Sequence, residues 1–221
     1  MSDPFSQDYQ HRARADQRFQ TQLREHTLTL RSTWGLFSPR DIDEGTALLL
    51  RWVQTPATAH CIDLGCGYGP IGLTLAKLAP QGRVIMLDKD FVAIGYANAN
   101  ARDNHIDNAE ARLSNGFSAL HGAHHSGAYD LIASNLPAKV GKEMLYIMLD
   151  DARRLLRPGG RIYVVSINGL RQFIKSALHA AFGNYDKLKQ GRAYTVAMAQ
   201  RSTATAPWSS QPPSHNPLHL P

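Results

Sequence analysis

A chain of 221 residues that is 43% hydrophobic and 19% charged suits one globular domain with a sizeable core and modest tails. No apolar run approaches the ~18 residues that span a bilayer, and two cysteines, Cys61 and Cys66, make no disulfide framework and read as reduced thiols. The net charge of +6 is unevenly spread: residues 1–138 carry 12 basic and 14 acidic side chains and residues 139–192 carry 11 and 4, a distribution that suits a polyanionic partner such as RNA or DNA, or simply a well-solvated surface.

Residues 1–27 are polar, with a helical tendency over Asp8–Arg24 but no clean apolar stripe, and read as a partly ordered extension. The acidic N-terminus has no signal-peptide core, which implies a cytoplasmic protein. The first helix covers Gly45–Val53. Ala59–Leu64 is a strand, Pro70–Leu78 a helix opened by proline at its first position, Arg83–Asp88 a buried strand and Phe91–Asn104 a helix. Ala109–Leu113 and Tyr129–Ser134 are strands. Within Lys142–Leu156, Leu145, Met148, Leu149, Ala152, Leu155 and Leu156 fall on one helical face. Arg157-Pro-Gly-Gly stops that helix, and Arg161–Ile167 is the next strand. A helix over Leu170–Phe182 precedes strands near Asp186–Lys189 and Ala193–Ala199, and the Pro- and Ser-rich residues 200–221 read as a disordered tail. Strands alternating with helices give an α/β fold, a doubly wound, mostly parallel seven-stranded sheet with ligand sites at the carboxyl ends of its strands. No helix separates the last two strands, so an antiparallel hairpin closes one edge.

Residues 60–72, His-Cys-Ile-Asp-Leu-Gly-Cys-Gly-Tyr-Gly-Pro-Ile-Gly, compress a strand end, a tight turn and a helix start into one line. Glycine suits such a turn because the backbone takes φ > 0 and lies close to a ligand with no Cβ between. The spacing Gly67-x-Gly69-x-x-Gly72 also fits the dinucleotide fingerprint, so the loop alone indicates an adenosine-containing ligand without choosing one. Three further features bear on the choice. Asp63 precedes the loop by two residues; a carboxylate there repels a pyrophosphate and suits a ligand carrying an ammonium and a sulfonium. Asp88 ends the next strand, where an acid can hold ribose hydroxyls. Ser114-Asn115-Gly116-Phe117 follows the strand after that, where a short amide can accept from an adenine amino group beside an apolar wall, although asparagine is also an ordinary turn former. Asp63 tilts the reading toward S-adenosylmethionine and away from NAD.

The fourth central strand delivers Ser134-Asn135-Leu136-Pro137-Ala138 to the same edge. Together with Trp34-Gly-Leu-Phe-Ser-Pro-Arg-Asp-Ile-Asp-Glu-Gly-Thr46, Asp63-Leu-Gly-Cys-Gly-Tyr-Gly-Pro70, Val84-Ile-Met-Leu-Asp88 and Ser114-Asn115, this makes residues 28–199 resemble a class I S-adenosylmethionine-dependent methyltransferase of the "small" group, which contains the ribosomal RNA small-subunit guanine-N2 methyltransferases. The resemblance implies that Phe37, Asp63, Gly65, Cys66, Gly67, Asp88, Lys89, Asn115, Gly116 and Asn135 contact the cofactor. It also implies that Asn135, Leu136 and Pro137 form the catalytic segment. In such families an Asn/Asp-Pro-Pro-aromatic motif accepts hydrogens from a planar exocyclic amine through the side-chain oxygen and the next carbonyl, and stacks the aromatic on the base. Here Leu136 replaces the first proline and Ala138 the aromatic, leaving Tyr68, Phe37 or Trp34 to supply a ring. The implied function is N-methylation of guanine in RNA, bound through the basic 139–192 half. The departures at 136 and 138 keep a small-molecule or protein acceptor open, and also a non-catalytic RNA-associated module. His121, His124 and His125 lie in a Gly/Ala/Ser loop without partners at ligand spacing, so no metal is expected.

Overall fold

The alternation of apolar residues along the central strands becomes a sheet with a different set of helices on each face. In the computed structural model the described residues are 16–122, 125–137 and 140–203. In chain order the elements are β1 (Gln17–Leu23), β2 (His26–Ser32), α1 (Glu44–Trp52), β3 (His60–Leu64), α2 (Pro70–Leu78), β4 (Arg83–Asp88), α3 (Phe91–Asp103), β5 (Ala109–Leu113), β6 (Tyr129–Asn135), α4 (Lys142–Leu155), β7 (Leu156–Ile167), α5 (Arg171–Phe182), β8 (Asp186–Gln190) and β9 (Tyr194–Gln200). The main sheet has the order β5-β4-β3-β6-β7-β9-β8. Its first five strands are parallel, and β9 runs antiparallel between β7 and β8, so the α/β expectation and the terminal hairpin both hold.

Side chains alternate between the two faces as a period of two demands. Cys61, Val84, Met86, Leu131, Ala133 and Val165 join the core under α1, α2 and α3. Ile62, Ile85, Leu87, Ile132, Ile162 and Val164 join the core under α4 and α5. Both helix sets are therefore held by sheet residues adjacent in sequence. The expected turn at Arg157-Pro-Gly-Gly lies inside β7 instead, as an irregularity between the pairs Tyr129–Leu156 and Leu131–Arg161.

The helical tendency over Asp8–Arg24 is overturned for its described part. Gln17–Leu23 is a strand, paired antiparallel with β2 in a separate two-stranded sheet; residues 8–15 of that segment lie outside the described residues. The hairpin docks through asparagine amides of α3 that copy a strand edge. Asn100 accepts from the Arg31 N–H (2.7 Å) and donates to the Arg31 carbonyl (2.8 Å), and Asn104 does the same with Thr29 (2.9 and 2.8 Å). On the other side of α3, Asn98 pairs with both backbone groups of Ala111 in β5. At the hairpin turn, Arg24 donates to the carbonyls of Leu50, Arg51 and Val53, placing a cation on the C-terminus of α1. No helix among the described residues is long and apolar enough to cross a membrane.

Candidate active site

Between Leu64 and Pro70 the chain reverses from strand to helix, with Gly65, Gly67 and Gly69 at φ of +75°, +55° and +98°. The turn is pinned under β4. The N–H groups of Gly65 and Cys66 both donate to the Leu87 carbonyl (2.8 and 3.0 Å), and that of Gly67 donates to Asp88 Oδ2 (2.9 Å). A Cβ on Gly65 or Gly67 would meet no protein atom within 4 Å, so these glycines front open space. At Gly72 a Cβ would lie 2.4 Å from Met86 Cγ and 3.1 Å from Asp63 Oδ2; glycine there lets α2 close onto the sheet.

Asp63 is completely buried. Its Oδ2 accepts from the Gly72 N–H at 2.7 Å, and its Oδ1 is buried without a hydrogen-bond partner. Burial pushes the carboxyl from 3.8 up to about 7; the Gly72 N–H opposes this and the charge of Asp88 adds to it. An orphaned carboxylate oxygen on the strand that leads into an open glycine turn suits a cationic group and would repel a pyrophosphate. Cys66 is buried in the turn with its Sγ 3.5 Å from the Gly67 carbonyl, and burial raises its thiol well above the usual range.

Asp88 also accepts from the Asp90 N–H (3.0 Å), and Lys89 beside it is exposed. The Ser114 N–H donates to the Asp88 carbonyl at 2.7 Å, stitching the ends of β4 and β5 and bringing the exposed Asn115 and the left-handed Gly116 (φ +58°) next to the acid. Phe117 is buried in the core beneath that turn. The segment 33–43 is tied to the glycine loop by the Tyr68 hydroxyl, which donates to the carbonyls of Ser38 and Asp41 (3.1 and 3.2 Å). Tyr68 is thereby removed as a base-facing ring: it is only 3% exposed and meets Phe19 edge-on. Phe37 is 67% exposed, and Trp34, under the Arg40 guanidinium at 4.2 Å, is exposed as well.

β6 lies beside β3, and Ser134 Oγ donates to the Leu64 carbonyl (2.8 Å), so Asn135 reaches the carboxyl edge next to the glycine turn. Its Nδ2 donates to Asp43 Oδ2 (2.8 Å) and Thr46 Oγ1 (3.1 Å). Asp43 caps α1 by accepting from the Thr46 N–H, and its Oδ1 accepts from the Tyr194 hydroxyl at 3.0 Å. Sequence reasoning gave Asp43 and Tyr194 no role. The spacing Asp43-x-x-Thr46 before a helix was a readable cap signal, whereas Tyr194 arrives from 151 residues away. Leu136 is buried in the core under α4 and α5, and its N–H donates to the Val165 carbonyl at 2.9 Å, a bond that proline cannot make. Pro137 is exposed, and Ala138 falls outside the described residues.

The basic half divides in space. Arg153 and Arg154 pair with Asp150, and Arg157 with Asp130, at the edge of the sheet remote from the site. Lys142, Arg171 and Arg192 follow the carboxyl ends of β6, β7 and β8. There Lys142 lies 5.6 Å from the ring of Phe173, which stacks edge-on with the exposed Tyr146.

The model of the methyltransferase small domain matches residues 27–198. The chain belongs to that family. This methyltransferase domain is 31% identical to the uncharacterized protein YbxB of Bacillus subtilis, over 65% of the chain and 70% of the relative. It is 30% identical to the ribosomal RNA small subunit methyltransferase C of Pseudomonas putida, over 84% of the chain and 55% of the relative. The chain spans about half the length of the curated rRNA methyltransferases it matches. Among solved structures it is similar to the Thermus thermophilus 16S rRNA N2 G1207 methyltransferase in complex with AdoMet and guanosine, with a TM-score of 0.73 and 25% identity over 84% of this chain and 50% of that one. The fold is that of S-adenosylmethionine-dependent methyltransferases.

Proposed function

We propose that this methyltransferase domain transfers a methyl group to the exocyclic amine of a guanine base in RNA, ribosomal RNA above all, in the cytoplasm. The observation that carries the reading is the meeting, at one sheet edge, of the glycine cradle with its orphaned Asp63 oxygen and the Asn135 side chain. The similarity to a methyltransferase structure containing AdoMet and guanosine supports the acceptor.

S-adenosylmethionine supplies an electrophilic methyl carbon on a sulfonium. Asp63 would receive its ammonium group, Gly65 and Gly67 would let the backbone approach it, Asp88 would accept from its ribose, and the Lys89 and Asn115–Gly116 segments would flank its adenine. Cys66 and Phe37 complete the walls. Asn135 Oδ1 accepts an N–H of the guanine amine and aims the nitrogen lone pair at the methyl carbon. Once bound, S-adenosylmethionine would supply the methyl group and leave as its neutral thioether, and the acceptor nitrogen would release its surplus proton to water. The side chain of Leu136 and the ring of Pro137 fix the segment. Rate gain comes from positioning, since no covalent enzyme intermediate is required. Phe37 and Trp34 remain as rings to face the base, and Lys142, Arg171 and Arg192 face the phosphates.

Calorimetry with S-adenosylmethionine and with NAD tests the cofactor: tight NAD binding with none of S-adenosylmethionine refutes it. Tritiated methyl transfer to separated RNA, protein and small-metabolite pools tests the acceptor. Label in the RNA pool is expected; label confined to another pool refutes the RNA reading.

A further inference from the structure

We propose that Asp43 is a positioning residue, which with Thr46 and Tyr194 locks the Asn135 amide so that only its carbonyl oxygen faces the acceptor. The inference rests on the reading of Asn135 in the preceding subsection. A primary amide has two nearly isosteric ends of opposite hydrogen-bonding character, and a flipped amide would meet an amine with two N–H donors instead of a lone pair. Nothing within the side chain selects one orientation; its neighbours must.

Here they do so completely. One Nδ2 hydrogen is directed to Asp43 Oδ2 at 2.8 Å and the other to Thr46 Oγ1 at 3.1 Å. Both donors are used, so the remaining face of the amide is a pure acceptor. A carboxylate can only accept, so a flip would set the Asn135 oxygen against a negative charge and forfeit a charge-assisted bond. Asp43 is itself held at both oxygens, by the Thr46 N–H at the start of α1 and by the Tyr194 hydroxyl from β9. The lock thus joins α1, β6 and β9, and Asn135 inherits its orientation from a helix start and a second strand. A site so built demands an N–H donor from its acceptor and discriminates against oxygen or sulfur nucleophiles that arrive without a hydrogen to give.

Because Asp43 also caps α1, through the same oxygen that meets Asn135, the first variant keeps the cap. Serine caps well but is too short to reach Asn135, so Asp43→Ser is expected to stay folded and to bind S-adenosylmethionine within threefold of wild type while kcat falls at least 30-fold. Asn135→Asp places two carboxylates against each other and is expected to lose at least 100-fold in kcat. Asp43→Asn combined with Asn135→Asp turns an amide nitrogen toward the carboxylate at position 135 and restores a donor facing an acceptor while giving up the Thr46 cap, which uses the same Asp43 oxygen; it is expected to recover at least tenfold in kcat over Asn135→Asp alone, a rescue that a capping role would not produce. Amide NMR reads the lock without turnover: the two Asn135 side-chain protons exchange slowly in wild type and at least tenfold faster in Asp43→Ser. The proposal is overturned if Asp43→Ser keeps kcat within threefold, or if the exchange rates match. A wild-type domain that binds S-adenosylmethionine but labels no RNA overturns the acceptor reading instead, and the amide exchange still decides the lock.

Discussion

Replacing Asp63 by asparagine should make the ligand-free protein more stable and the methyl donor bind worse. The carboxyl has no exposed surface, one oxygen without a partner, and a titration pushed from 3.8 up to about 7 chiefly by burial. Between those two values the folded chain holds a proton that the unfolded chain has released, so stability falls as pH rises through this window. At 1.36 kcal/mol per pH unit the loss at pH 8 reaches about 4 kcal/mol, and at pH 5 about 1.6 kcal/mol. The substituted amide would still accept from the Gly72 N–H through its oxygen and carries no charge. In thermal denaturation the Asp63→Asn variant should therefore gain on wild type as pH increases from 5 to 8, by about 2–3 kcal/mol in the difference or roughly 5–11 °C for a domain of this size. Calorimetry should show the opposite trend in function: wild-type affinity for S-adenosylmethionine rises through pH 7 as Asp63 ionises, while the variant binds at least tenfold more weakly at pH 8. A stability difference that stays flat between pH 5 and 8, or a variant less stable than wild type at pH 8, would refute the account of Asp63 as a charge kept buried for its ligand.

Two glycines should fail in opposite ways. A Cβ at position 82 would lie 1.9 Å from the Ala59 carbonyl oxygen, so Gly82→Ala should cost more than about 3 kcal/mol in urea unfolding. Gly65→Ala should cost about 1 kcal/mol for its left-handed backbone yet weaken S-adenosylmethionine binding at least tenfold in calorimetry, because its methyl enters the cradle. Asn100→Ala strands the Arg31 N–H and the carbonyls of Arg31 and Tyr68, and should destabilise by about 2–4 kcal/mol in urea. If phosphates meet the carboxyl edge, Lys142→Ala and Arg192→Ala should each lower the slope of log affinity against log salt by about 0.7 for single-stranded RNA, and Arg154→Ala should leave it unchanged.

How far the sequence reveals this molecule depends on the range over which each feature is determined. β3, β4 and β6 were legible because their apolar residues face two cores and need no partner to be recognised. The glycine turn was legible because its backbone demands are local. β1 was misread because half of Gln17–Leu23 faces solvent, leaving Phe19, Thr21 and Leu23 to carry the alternation; its fold is settled by β2, which α3 holds through Asn100 and Asn104 some 70 residues on. The same rule governs the site. Asp63 and Asn135 could be found from their strand ends, but the orientation of Asn135 is decided by Asp43, 92 residues before it, and Asp43 is in turn held by Tyr194. Leu136 looked like the loss of a rigid proline. In the folded chain its N–H adds one bond to the β6–β7 edge and its side chain is buried under α4 and α5, so the segment is held by packing and hydrogen bonds where a proline ring would have held it by covalent geometry. Restoring the proline should therefore break that bond without improving the site: Leu136→Pro should lose stability and gain no methyl-transfer rate. A faster enzyme would mean that the segment at 136 is held less firmly than its contacts indicate.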